Sequence, residues 1–116
     1  MIPDDIYGEL LAAVSNVGAD ITGDCEQFLS GLRIEFKGTD EDFVQYVQTN
    51  VDRWFRVANS YPVWIQNADW QFHRGKPMTF VGEIPIPKVA RLFHDDACVF
   101  VFLSEDGVSK CVIQVS

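Results

Sequence analysis

The longest uninterrupted apolar run in the sequence is Ala97 to Leu103. That length suits a β-strand and falls far short of the roughly 18 apolar residues a membrane helix requires. With no polar alternation, the run predicts a strand covered on both faces. Asp106-Gly107 follows as a type I′ hairpin signal, and Val108–Val115 returns as the last strand. A two-residue turn there pairs Glu105 with Val108 and Cys98 with Val115. Cys98 and Cys111 then share a face but stand about four residues apart, roughly 13 Å at ~3.4 Å per residue, too far for a disulfide. With Cys25 the thiols number three. They read as small buried hydrophobes, not as a disulfide framework or a zinc site.

The rest of the β-rich half precedes this hairpin. Met78 to Ile86 reads as a strand with Met78, Phe80, Gly82, Ile84 and Ile86 on one side. Pro85 and Pro87 place its end at a sheet edge or a bulge. Residues 88–94 suggest a short helical turn, and residues 61–77 read as one long irregular loop.

The first half is helical in pattern. Ile6, Leu10, Val14 and Val17 follow helical spacing and predict a helix over 4–17, with Asp4 and Asp5 at its positive end and Gly18 at its stop. Asp24 and Gln27 suggest a cap for a short turn over Cys25–Ser30. Leu32, Ile34 and Phe36 alternate with Arg33, Glu35 and Lys37, the pattern of a half-buried strand. Thr39 caps a helix over 40–59, with Asp40, Glu41 and Asp42 in its first turn and Phe43, Val47, Val51, Trp54 and Ala58 along one stripe. Helices followed by an antiparallel meander predict an α+β two-layer sandwich. Its N-terminal helices pack on one face of a mainly antiparallel sheet of four strands or slightly more. At 116 residues, residues 1–116 form a single domain.

Charge is uneven. Residues 1–52 carry eleven acids against Arg33 and Lys37, a net of −9, within a chain whose total is −8. Residues 53–94 carry six cations against Asp69 and Glu83, a net of +4, and residues 95–116 a net of −3. Such a chain repels nucleic acid and anionic membranes and attracts a basic protein surface. The start Met1-Ile2-Pro3-Asp4-Asp5 has neither the charge nor the apolar stretch of a signal peptide, so the expected location is cytoplasmic.

Catalytic patterns are missing from the sequence: no GxGxxG, GxxxxGK[ST], HExxH or GxSxG. Of the two histidines, His94 precedes Asp95-Asp96 and reads as a solvated turn, not a metal site. His73 lies beside Arg74 in the loop. No cofactor and no enzymatic activity are expected.

Tyr61-Pro62-Val63-Trp64-Ile65-Gln66, Asp69-Trp70 and the run Gly75-Lys76-Pro77 through Glu83-Ile84-Pro85-Ile86 resemble the YwqG-like family of bacterial domains of unknown function. Phe100–Gly107 resembles its later aromatic strand and acidic turn. Glu83 stands where that family usually has Gln, and the first 60 residues lie outside the likeness. The resemblance implies kinship with bacterial accessory proteins, immunity proteins among them, and supplies no catalytic residues.

The expected function is therefore a non-enzymatic, acidic protein-binding domain: a bacterial immunity or inhibitor protein that neutralises a basic toxin or effector. Asp20, Asp24, Glu26, Asp40, Glu41 and Asp42 are the expected contacts. Two alternatives remain. One is a homodimeric scaffold, paired through the Glu83–Pro87 edge or the last strand. The other is a domain for small anionic ligands built on the loop, with Trp64, Trp70 and His73 beside Arg74 and Lys76.

Overall fold

In the computed structural model, which describes residues 2–87 and 96–116, three helices precede five strands: α1 Asp4–Ser15, α2 Gly23–Glu35, α3 Asp40–Trp54, β1 Phe72–His73, β2 Lys76–Pro77, β3 Thr79–Pro85, β4 Ala97–Leu103 and β5 Ser109–Val115. The architecture is α+β, as expected. One face of the sheet carries Phe80, Phe100 and Phe102, all fully buried in the same cluster as Leu10, Leu29 and Val47 from the helices. The opposite face leaves Ile84, Leu103 and Ile113 exposed.

Helix α3 begins as its sequence dictates. The Thr39 hydroxyl accepts from the Asp42 amide at 3.1 Å and the Asp42 carboxylate accepts from the Thr39 amide at 3.3 Å, a reciprocal capping box that satisfies two otherwise orphaned donors. It ends at Trp54, short of the expected 59. The cause is competition from the sheet: the Phe80 amide donates to the Arg56 carbonyl and the Ala58 amide donates to the Phe80 carbonyl, each at 2.9 Å. Residues 56–58 thereby run parallel to β3 and cover part of its edge.

Helix α2 corrects two expectations. The turn over Cys25–Ser30 is the middle of a helix that continues to Glu35, and the strand over 32–36 is the last turn of that helix. Cys25, Phe28, Leu29, Leu32 and Phe36 recur at three- and four-residue steps, and this period outcompetes the short alternation. Ile34, which the alternation placed inside, is 80% exposed. Arg33 then locks α2 to α3: its Nε and Nη2 donate to Asp40 Oδ1 at 2.9 and 2.7 Å.

The sheets differ from expectation in size and register. Among the described residues there is a three-stranded antiparallel sheet in the order β3-β4-β5 and a separate β1-β2 hairpin, not one sheet of four or more strands. The hairpin lies inside the expected irregular loop and turns on Arg74 and Gly75, both at positive φ, 52° and 75°; type I′ turns require this. A bulge between Phe80 and Gly82 shifts the β3 register, so Ile84 faces away from the side that holds Phe80, against expectation.

The β4–β5 turn is also one residue longer than expected. The Gly107 amide donates to the Ser104 carbonyl at 3.2 Å and the Ser104 amide to the Val108 carbonyl at 2.8 Å, with Gly107 at φ 86°. This is a three-residue loop, Glu105-Asp106-Gly107, with glycine at its left-handed position. Cys111 pairs with Val101, and Cys98 with Gln114 instead of Val115. A one-residue slip exchanges faces, so Cys98 is buried and Cys111 exposed on opposite sides of the sheet. β4 is not covered on both faces: Cys98, Phe100 and Phe102 are buried, Val99 and Val101 only half-buried, and Leu103 exposed. The expected turn at 88–94 lies outside the described residues.

Candidate functional site

The starts of α1 and α3 lie side by side and enclose a shallow recess of about 430 Å³ lined by Asp5, Ile6, Glu9, Thr39, Asp40 and Glu41. Both helices point their positive ends here, which favours carboxylates in each first turn. Four acids therefore share one small surface. Two of them, Asp5 and Glu9, were missed from the sequence; the signal was there in the acidic first turn and the i, i+4 spacing on α1, but not its pairing with α3.

The six expected acidic contacts do not form one patch. Asp40 and Glu41 line the recess, but Asp40 is held by Arg33. The Asp42 carboxylate belongs to the capping box. Asp20 accepts from the Thr22 hydroxyl at 2.8 Å in the α1–α2 connection. Glu26 lies in the first turn of α2. Asp24 lines a different hollow with Gln27, Phe28, Phe72, Arg74 and Gly75.

The loop set is likewise split. Trp64 packs on Phe100 at 4.6 Å between ring centroids and donates its indole N–H to the Gly18 carbonyl at 2.6 Å. Trp70 is buried and donates to the Met78 carbonyl at 2.9 Å. Trp70 is a core residue and Trp64 packs half-buried against the core, each with its polar end satisfied. Buried Gln114 pins the loop further: its Oε1 accepts from the Ile65 and Gln66 amides at 3.0 and 2.9 Å, and its Nε2 donates to the Asn67 carbonyl at 2.8 Å.

His73 meets the Asp106 carboxylate at 3.2 Å, and Arg74 lies 3.9 Å from it. The Ser104 hydroxyl, and after it His73, hold the Asp106 carboxyl below its usual range. His73, Arg74 and Lys76 line one open hollow with Ser104, Glu105 and Asp106, and Lys76 also meets Arg53 and Arg56 around an adjoining apolar hollow of about 280 Å³.

The thiols offer no activated nucleophile at the two shifted positions. Burial, with Asp20 beside it, pushes Cys25 up to about 12; burial, with Glu83 beside it, also raises Cys98. Among the described residues no group of three His, Cys, Asp or Glu side chains is placed to hold a metal ion; His94 and Asp95 lie outside them. No described helix is long and apolar enough to cross a membrane. Compared with protein-family models, curated proteins and solved structures, the chain finds no match.

Proposed function

We propose that this chain is a non-enzymatic protein-binding domain of the immunity or inhibitor type, which engages a basic toxin or effector through the recess between α1 and α3. The observation that carries the reading is the convergence of Asp5, Glu9, Asp40 and Glu41 on one hollow in a chain of net charge −8. Such a surface steers a cationic partner at long range and repels anionic competitors. The resemblance of Tyr61–Gly107 to YwqG-like domains supports the same class.

Affinity capture from cells that encode the protein, run in parallel with the wild type and a Glu9→Lys/Glu41→Lys variant, tests this. A stoichiometric basic partner held at low salt, released as salt rises and lost by the variant, is expected. Equal capture by the variant overturns the reading.

The homodimeric scaffold is a second reading, favoured by one observation. The outer sheet face exposes Ile84 by 59% and Ile113 by 61%; among the described residues β5 is an edge strand and β3 is covered by residues 56–58 only around Phe80, so strand edges remain for pairing. A sedimenting species that stays monomeric at high concentration eliminates it.

A further inference from the structure

At the far end of α3 from the acidic recess, about 20 Å away for a helix of this length, Arg53, Arg56 and Lys76 surround a hollow with Phe28, Leu32 and Trp54 on its floor and the exposed Leu103 at its rim. We propose that this groove binds an extended acidic peptide segment that carries one bulky apolar side chain. The site, the ligand and the sign of its charge all differ from those of the recess between α1 and α3.

Charge complementarity is the first argument. Against a total of −8, three cations gather where one acid, Glu105, lines the same hollow. Glu105 approaches Arg56 at only 3.9 Å, with the two side chains 77% and 62% exposed; a pair so solvated neutralises little. Arg53 donates to the Asn50 side chain at 3.2 Å and forms no ion pair among the described residues. Lys76 has neither a side-chain hydrogen bond nor an ion pair among them. Unpaired guanidinium and ammonium groups beside one another repel, and carboxylates relieve that repulsion with charge-assisted hydrogen bonds.

Shape is the second argument. The floor is preformed, since Phe28 and Trp54 pack edge to face at 5.5 Å and Trp54 packs likewise on Tyr46 at 5.4 Å. This hollow adjoins another of about 330 Å³, lined by His73, Arg74, Ser104 and Asp106, and the two share Lys76, Pro77 and Glu105. Two open hollows in series suit an extended chain, with one apolar side chain in the first and acids along the rim. A compact small molecule needs a site that encloses most of its surface. Recognition of acidic segments by arginine clusters follows the same physics elsewhere.

The test is fluorescence anisotropy with a dye-labelled octapeptide of aspartates around a central phenylalanine. Saturable binding that weakens as salt rises is expected. Affinity should fall at least about tenfold in Arg53→Glu/Lys76→Glu, and also when the peptide's phenylalanine is replaced by alanine. It should hold in Lys37→Glu, an exposed lysine outside the groove. Arg53→Gln/Lys76→Gln, with an unchanged melting curve, guards against a folding defect. Absence of saturable binding, equal binding of a lysine-for-aspartate peptide, or equal loss in Lys37→Glu overturns the proposal. So does phenylacetate binding as tightly as the peptide, which assigns the hollow to a small acid. Loss of the groove leaves the Glu9 and Glu41 capture experiment untouched, so the two readings fail separately.

Discussion

Residues 64–70 and residues 72–77 are neighbours in sequence, both rich in the side chains that binding sites use, yet the fold spends them differently. Trp64 and Trp70 are turned inward and their indole N–H groups are consumed by backbone carbonyls. Arg74 and Lys76 stand outward, exposed at the turn end of the β1–β2 hairpin. The contrast teaches that aromatic and cationic residues clustered in a sequence need not be clustered in function. Satisfaction of the polar ends decides. An indole that already has its acceptor is available as surface area for the core, whereas a lysine with no partner remains available to a ligand.

Truncation breaks the comparison most sharply on the core side. Trp70→Ala should cost about 3–5 kcal/mol of unfolding free energy, read from a denaturant midpoint, because the ring packs against Phe55, Phe80 and Phe102. A cost below about 1 kcal/mol, within the range of ordinary surface changes, would return Trp70 to the binding surface. Gln114→Leu comes next. It keeps the volume but strips the acceptor from the Ile65 and Gln66 amides and the donor from the Asn67 carbonyl. Leaving such groups unpaired costs about 2–4 kcal/mol in total. If the loop over 64–67 were a mobile binding element, that substitution would be nearly neutral.

Much of the architecture was legible before the structure, and what was not has physical causes. Helices α1 and α3 announce themselves through period and caps, because helical signals are local: Thr39 and Asp42 find each other three residues apart. The layers follow, since helices that precede a meander have only a sheet face to cover. Helix α2 is ambiguous in the sequence because Leu32 and Phe36 fit both periods while Ile34 fits only the strand; the packing of Phe28 on Trp54 and of Phe36 on Phe43 favours the helix and leaves Ile34 in solvent. Register was out of reach for a different reason. Glu105-Asp106-Gly107 fits a two-residue and a three-residue loop alike, and the Ser104 hydroxyl that donates to Asp106 while accepting from the Val108 amide favours the longer one. The candidate site was the least legible part. The acidic recess and the basic groove are each assembled from segments far apart in the chain, α1 with α3 and α3 with β2, and no single window of sequence contains either.

Smaller effects sharpen the comparison on the solvent side. Thr39→Ala should cost about 1 kcal/mol, the usual worth of an N-cap, and fray the end of α3 that carries Glu41. Hydrogen exchange at the Phe43 and Asp42 amides would report it, with the groove at the other end unaffected. Exchange that rises equally along the whole helix would mean that the cap holds α3 as a unit, and that the two charged ends are coupled.

The smallest effect concerns Asp106, where the groove's rim meets the β4–β5 turn. Its carboxylate accepts from the Ser104 hydroxyl at 2.5 Å and meets His73 at 3.2 Å, and these contacts favour the charged form. A carboxyl held below its ordinary 3.8 contributes stability that is present above that value and lost as pH falls through the lowered one, because the unfolded chain takes up the proton first. The side chain is solvated, so the consequence is local. Carbon-13 NMR should show Asp106 titrating below 3.8, and Ser104→Ala should move it upward more than His73→Gln does, since the hydroxyl is the larger cause. The reverse order would make His73 the principal holder of the carboxylate. It would then be a fixed part of the turn, leaving Lys76, and Arg74 beyond its loose 3.9 Å approach to Asp106, as the cations of the 72–77 hairpin that can meet an anion.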